Sequence, residues 1–486
     1  MKGAEPIRHT WSESDRFVPR KVVRPLQQVL QHEAAGGAVM LLAAVTAIVW
    51  ANSPWSQSYT DLWSMPVKVE VGDLLHLDHL TLQSWVNDAL MTLFFLLVGV
   101  EIKREIVHGD LKNPRAVALP VVAALGGMAA PAIIFALLNA GGPGADGWAI
   151  PTATDIAFAV GVVSMLGSRV PPAAKLFLLT LAVADDIGAI VIIAIFYTGN
   201  LSWGWLALAA LGLTVIWIMK NADVYSLAPY LAVGSFVWLA LLESGVHATL
   251  AGVALGLVTP AWPLRSPRRF PRQTRRTLDR LEQSYFDQVL THKEFEENEE
   301  QLAEIARQAM LATSPLTRLE QGLAPWVAYA VIPLFALANA GVSLSADSIG
   351  NLASDKITLG VIAGLVIGKT VGVFGATMIA LKLRIGERPA GTSVLQLLGL
   401  AITAGVGFTV ALFVASLSFD SVAATDSAKV GILIGSLIAG VSGYLVLRAA
   451  SSGDAEATDG EEVVVLDTPL AELAGIGHRP PAPVPG

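Results

Sequence analysis

Cysteine is absent from the 486-residue chain, which excludes disulfides and thiolate metal sites and leaves no redox signature to read. Charge is scarce. Asp, Glu, Lys and Arg make up 15% of residues, against about 25% in soluble domains, while 53% are hydrophobic and the mean hydropathy is +0.58. That balance excludes a large soluble domain and points to a membrane protein. The few charges are also segregated, so the formal net charge of −8 misleads as a single number. Acid gathers in one insertion and in the C-terminal tail, and base at particular ends of apolar runs. Met1–Glu33 is polar and basic (Arg8, Arg16, Arg20, Lys21, Arg24) and lacks the apolar core of a signal peptide, so it reads as a cytoplasmic arm. A phosphate-binding loop is missing too: Gly368-Lys369-Thr370 imitates the end of one, but position 363 is Ala where glycine is needed, and an apolar span cannot present such a loop. No nucleic-acid partner and no cofactor are expected.

What is present is a series of apolar runs near the spanning length of roughly 20 residues. They lie at 34–51, 85–108, 116–139, 149–166, 172–198, 202–220, 225–242, 245–260, 323–345, 357–383, 393–418 and 428–448. The expected architecture is therefore an all-α polytopic membrane protein with about twelve transmembrane helices, arranged as 34–260 and 318–448 around a charged insertion at 261–317. Connector charge agrees with that count. Lys103, Arg104, Lys112 and Arg115, then Arg169 and Lys175, then Lys220, then the arginines after Trp262, then Lys382, Arg384 and Arg388 all fall on one side. The other side holds little beyond Lys68, Lys356 and Lys429. By the positive-inside rule the basic side, and with it both termini, is cytoplasmic.

Three segments do not read as spans. Val67-Lys68-Val69-Glu70-Val71 alternates, turns at Gly72-Asp73 and resumes at Leu74, which suits either a small outer β-hairpin at about 65–80 or a structureless loop. The insertion starts basic (Arg265, Arg268, Arg269, Arg272, Arg275, Arg276, Arg280) and turns acidic (Glu294, Glu296, Glu297, Glu299, Glu300, Glu304). Leu278, Leu281, Tyr285 and Val289 follow helical spacing, so this part is either a surface helix on anionic lipid or a solvated linker with some helix. The tail, 449–486, is acidic and punctuated by Gly and Pro, the composition of a disordered segment.

The chemistry concentrates in Ala182-Val183-Ala184-Asp185-Asp186-Ile187-Gly188-Ala189, inside the apolar run Lys175–Thr198. One charge at that depth costs roughly 2.5–3.5 kcal/mol on insertion scales, and intramembrane acids mark ion or proton paths. Neighbours on a helix point about 100° apart, so one acid can face a cavity while the other turns to a partner helix. The structural alternative is a pair neutralised by a distant base that ties two spans together. A third acid, Asp155, stands in Ile150-Pro151-Thr152-Ala153-Thr154-Asp155, where proline disfavours a continuous helix, frees backbone carbonyls, and leaves the Thr154 hydroxyl beside the carboxylate. A matching weak point is Ala404-Gly405-Val406-Gly407-Phe408-Thr409. Each weak point sits in the middle of a triplet of spans with opposite starting sides. That is the pattern of an inverted repeat whose two interrupted helices cross at mid-membrane. Lys369 supplies a cation in the first span of the second triplet.

FFLLVGVEIKRE (94–105), GWAIPTATDIAFAVG (147–161), AVADDIGAIVIIAIFYT (182–198), SGVHATLAGVALG (244–256) and PWVAYAVIPLFALANAGVSL (325–344) resemble the NhaA family of bacterial sodium/proton antiporters, over roughly 34–260 and 318–448. The resemblance implies that Asp185 and Asp186 are the family's carboxylate pair, with Asp186 the more essential cation ligand. It implies that Asp155 and Thr154 belong to the broken-helix motif facing the site, with Na+ at Asp155 and Asp186. Lys369 matches the lysine that pairs with an acid in the ion-free form. Glu101, Glu105, Glu320 and His247 match positions implicated in pH response, and the hairpin implies a homodimer. Some residues depart from the family pattern: Thr370 stands where proline is usual, and Gln321 and Ala324 stand where histidines are common. Plain alternatives remain, a hydrogen-bonding structural role for His247 and a solvated helix end for Glu101–Glu105.

On this reading the substrates are Na+ (or Li+) and H+, exchanged by alternating access. Desolvation disfavours the charged form of an acid, so a proton and a hard cation compete for the same oxygens near neutral pH. If two protons or one cation neutralise the pair, exchange is electrogenic and no enzyme chemistry is needed. Two rivals are an intramembrane aspartyl protease, which needs two aspartates on facing helices sharing a proton, and a sodium-responsive sensor that does not transport.

Overall fold

In this computed structural model the described residues are 33–454, apart from 72–74, 78–79, 110–111, 113, 200, 225, most of 265–291, and 344–353. The cytoplasmic-arm expectation for 1–33 falls almost wholly outside them, as do the hairpin turn, the stretch 282–291 and the tail from 455 onward.

Helix α1 (Glu33–Ala51) turns by 116° into α2 (Ser56–Trp63). Two long-range bonds hold the turn, Asn52 Nδ2 to Val342 O and Tyr59 Oη to Leu337 O, each 2.8 Å. Two three-residue strands, β1 (Val69–Val71) and β2 (Leu75–Leu77), pair antiparallel with Glu70 opposite His76. Helix α3 (Leu82–Val107) starts at Thr81, whose hydroxyl accepts from Ser84 N, and contains a π-helical turn at Val86–Leu90. After α4 (Pro114–Asn139) comes the first interrupted helix, a 3-10 segment Ala145–Thr152 followed by α5 (Ile156–Ser164). Helices α6 (Pro172–Phe196), α7 (Trp203–Asn221), α8 (Leu227–Ser244) and α9 (Leu250–Val258) complete the first part.

In the insertion the described residues Leu278 and Leu281 are helical, as their spacing suggested, Tyr285 and Val289 lie outside the described residues, and α10 (His292–Ala312) occupies the acidic half. Then follow α11 (Pro315–Asn339), α12 (Lys356–Lys382), the second interrupted helix as α13 (Val394–Thr403) and α14 (Phe408–Ser418), and α15 (Val422–Asp454). Helix α15 runs six residues beyond the apolar run that ends at 448, so the helical ladder carries on into sequence whose composition suggested disorder.

Among the described residues eight helices are long and apolar enough to cross a membrane, or ten if the bent pairs α1/α2 and α13/α14 each count as one crossing. The twelve expected crossings differ from this at α8, just under the spanning length once its ends are trimmed, and at α9, only nine residues long. Nine helical residues reach only about 14 Å, less than half the hydrocarbon thickness. The chain is nevertheless a multi-pass membrane protein by any of these counts.

The tightest helix pair is α4 against α12, and glycine makes it possible. A Cβ on Gly126 would strike the Gly372 carbonyl and the Ala376 methyl, and one on Gly372 would strike the Gly126 carbonyl. Backbone cannot retreat as a side chain can, so Gly126→Ala should destabilise by about 1–3 kcal/mol, the usual cost of overpacking. A thermal unfolding midpoint in detergent equal to that of the parent would contradict this contact. The approach matters for function because α12 carries Lys369, and a Cβ on Gly127 would lie 3.8 Å from its ammonium.

Candidate functional site

The two breaks cross in contact. After Thr152 the chain is extended at Ala153 and Asp155, because Pro151 closes the 3-10 turn and withholds an N–H from any continuing ladder. The second break, 404–407, bends α13 against α14 by 43°. Asp155 N donates to Val406 O at 2.7 Å, and Ala404 O lies 2.9 Å from Thr154 Oγ1. So each break satisfies backbone groups that the other exposes. Gly407 permits the crossing: a Cβ there would lie 3.1 Å from Ala153 O and 2.9 Å from Leu365 Cδ2.

Asp155 has two tasks. Its Oδ1 accepts from Phe158 N at 3.0 Å, capping α5. Its Oδ2 accepts from Thr409 N at 3.1 Å and from the Thr409 hydroxyl at 2.5 Å, in the first turn of α14. One carboxylate thus faces the positive ends of two short helices, where a negative charge is favoured. Thr409 is a partner that the sequence reading quoted only as part of a weak helix. A hydroxyl in an apolar span costs little and so carries no warning.

Beside this crossing lies the buried ion pair. Lys369 Nζ is 2.5 Å from Asp185 Oδ2, both side chains 0% exposed. The ammonium also donates to Thr154 Oγ1 at 2.8 Å, and Thr154 Oγ1 lies 2.7 Å from Asp185 Oδ2. Lysine, threonine and aspartate therefore close a triangle in which each member is held by the other two. Asp185 Oδ1 is buried without a hydrogen-bond partner among the described residues. Helix α12 passes through a π-helical turn at Gly364–Gly368 just before Lys369 and continues unbroken. Thr370 donates to Val366 O at 2.6 Å and leaves the helix continuous.

Asp186, one residue further along α6, is 6% exposed, and no hydrogen bond reaches its carboxylate among the described residues. It is not isolated electrostatically: the charges of Glu101, Asp185, Asp155 and Lys369 all act on it. Asp155, Asp185, Asp186, Thr154 and Lys369 therefore form one cluster drawn from two helices and a break. Among the described residues no three His, Asp or Glu side chains converge as a metal cage.

The remaining candidates divide. Glu101 on α3 couples to Asp186 on one side and to Arg104, Glu320 and Glu105 on the other. Arg104 is bound to Glu320, which ties α3 to α11, and it lies 3.8 Å from Glu105. His247 stands apart. Its Nε2 lies 2.5 Å from Tyr197 O, at the end of α6, next to the backbone bond from Gly199 N to Gly245 O. Tyr197 Oη in turn donates to Asp146 O at 2.8 Å. The contacts of His247 are those of a structural clasp between α6 and the α8–α9 connection.

Buried carboxylates and a buried lysine gathered where two interrupted helices cross define an ion-coupled secondary transporter. The chain belongs to the Na+/H+ antiporter 1 family, whose profile it matches over residues 27–447. It is 42% identical to "Na(+)/H(+) antiporter NhaA 2" of Sorangium cellulosum over 456 residues, covering 93% of this chain and 96% of that one. It is 46% identical to "Na(+)/H(+) antiporter NhaA" of Pseudomonas putida over 424 residues, 87% of this chain and 96% of that one. A remoter likeness is the sodium proton antiporter MjNhaP1 of Methanocaldococcus jannaschii, with a TM-score of 0.46 at 13% identity, covering 88% of this chain and 98% of that one. The relatives are transporters, not enzymes.

Proposed function

We propose that this protein exchanges sodium, or lithium, for protons across a bacterial inner membrane, with Asp155, Asp185, Asp186 and Thr154 as the shared ion and proton site and Lys369 as its counter-charge. The observation that carries this reading is the contrast within one carboxylate pair. Asp185 is neutralised by Lys369, while its neighbour Asp186 is buried with no hydrogen bond among the described residues. An acid withdrawn from bulk water without a protein counter-charge of its own favours neutralisation by a proton or a cation, and the two compete for the same oxygens.

When sodium enters, carboxylate, hydroxyl and backbone oxygens at the crossing suit a hard cation. When protons replace it, the Lys369–Asp185 pair and Asp186 return to their ion-free arrangement. Exchange of two protons for one cation is electrogenic, so a proton gradient directed inward drives sodium out. Glu101, Arg104, Glu105 and Glu320 run from α11 to Asp186 and supply the route by which cytoplasmic pH biases the site. The protease reading is disfavoured because Asp185 is committed to an ammonium, which opposes the shared-proton state.

Connector charge supports cytoplasmic termini and a cytoplasmic insertion. The expected domain division is an N-terminal arm at 1–33, helices within 34–260 and 318–448, an insertion at 261–317 and a tail at 449–486. The β1–β2 hairpin suits a homodimer, since two strands alone are marginal and edge strands of two copies can pair about a two-fold axis. Deleting residues 67–75 should abolish the dimer in native mass measurements and leave each protomer with partial exchange. A deletion variant that stays dimeric would move the interface to the helices.

The test of function is direct. Purified protein in proteoliposomes with an imposed pH gradient should collapse that gradient on addition of sodium and not of choline. Sodium without effect, with the protein correctly inserted, would overturn the reading.

A further inference from the structure

The crossing has a second hydroxyl that the transport reading does not use. Ser436 lies near the middle of α15, 3% exposed, and its Oγ accepts from Gly407 N at 3.3 Å and Phe408 N at 3.2 Å. These are the first free N–H groups of α14, and the next, Thr409 N, goes to Asp155 Oδ2. The end of α14 thus divides its donors between two acceptors, a neutral serine and the carboxylate of the site. The same division of labour appears at the other break. There the third helix of the first triplet, α6, reaches in with Asp185 to meet Thr154. In the second triplet the third helix, α15, reaches in with Ser436. Gly435, beside it, faces α12: a Cβ there would lie 3.1 Å from Leu365 Cδ1.

We infer that Ser436 is a positioning residue for ion exchange: by taking the Gly407 and Phe408 N–H groups it limits how many donors Asp155 receives, and so keeps the Asp155 carboxylate available to the transported cation. Each donor that points at a carboxylate weakens it as a ligand, because a bonded lone pair is withdrawn from the ion. Remove the serine oxygen and two N–H groups are left buried without a partner, a costly state that the chain relieves by turning them toward the carboxylate that already takes the next N–H of this helix end, Asp155. The consequence falls on binding of the cation, not on the machinery that turns the site over.

The experiment compares initial rates of sodium-driven proton release at varied sodium, in proteoliposomes of the full chain. Ser436→Ala should raise the sodium KM roughly three- to tenfold, with kcat within about twofold of the parent, the signature of lost binding applied to transport. Ser436→Thr, which keeps the oxygen, should restore the KM. If Ser436→Ala does not insert, Ser436→Cys decides in its place: its weakly accepting thiol should give an intermediate KM, and a parental KM would overturn the inference. A parental KM in Ser436→Ala, or a fall in kcat alone, would overturn it equally. The inference rests on the proposed exchange, and the parent protein in the same vesicles separates the two failures. No exchange by the parent defeats both readings, whereas normal exchange with an indifferent Ser436→Ala defeats only this one.

Discussion

Asp186→Asn is expected to reduce sodium-driven proton release to the level of empty vesicles while the protein still folds and inserts. Asparagine keeps the shape of the side chain, and no protein hydrogen bond to the carboxylate among the described residues is lost by the change. The removal of a buried negative charge should even ease the local repulsion from Glu101, Asp185 and Asp155. What disappears is the alternation on which exchange depends. An amide cannot bind and release a proton, and it offers a cation no charge to neutralise. The measurement is the sodium-dependent recovery of a pH-sensitive dye in proteoliposomes, with thermal unfolding in detergent as the control for folding. Exchange at the parental rate would remove Asp186 from the site and leave the Lys369–Asp185 pair as a purely structural tie.

The aspartates and Lys369 were legible in the sequence because a charge in an apolar run is expensive, and expense without a reason is rare. Pro151 and the Gly405–Gly407 pair were legible for a related cause, since each weakens a helix where the surroundings demand one. Their meeting was also expected, from the middle position of each break in its triplet. The partners that complete the crossing were not legible. Thr409 and Ser436 are residues that membrane helices carry freely, so nothing in composition separates these two from Thr180 or Ser442, whose hydroxyls bond only their own helix. Nor could spacing choose which acid Lys369 meets, because adjacent residues on α6 are equally near in sequence. Eight to ten of the expected crossings are matched by helices of spanning length among the described residues, and the difference lies at α8 and α9: hydropathy sees the length of an apolar run and not where its helix starts and stops, so it does not show the shortness of α9. His247 meets Tyr197 O, a contact that fits the plain structural alternative the sequence already offered for it.

Lys369→Met is expected to be the most destabilising single change near the site, and the double variant Lys369→Met, Asp185→Leu is expected to recover most of the loss. Lysine and aspartate are both wholly buried and 2.5 Å apart, and the ammonium also satisfies Thr154. Removing the cation alone leaves Asp185 with one oxygen that already lacks a hydrogen-bond partner among the described residues and another that has lost its counter-charge. Breaking a buried pair in this way costs about 3–5 kcal/mol, whereas replacing both members by apolar groups of similar volume is often neutral. The sign of the second step therefore separates two accounts of Lys369. If the lysine matters because it compensates a buried charge, the double variant melts near the parent in detergent although it no longer exchanges ions. If it matters because its chain fills space against α4 at Gly127, methionine alone should melt near the parent, since it fills most of that volume. A single variant as stable as the parent would show that Asp185 does not need its ammonium, and the ion pair would then lose its place in the exchange cycle. Transport by the single variant should fall sharply in either case, because Thr154 and Asp185 lose the group that orients both.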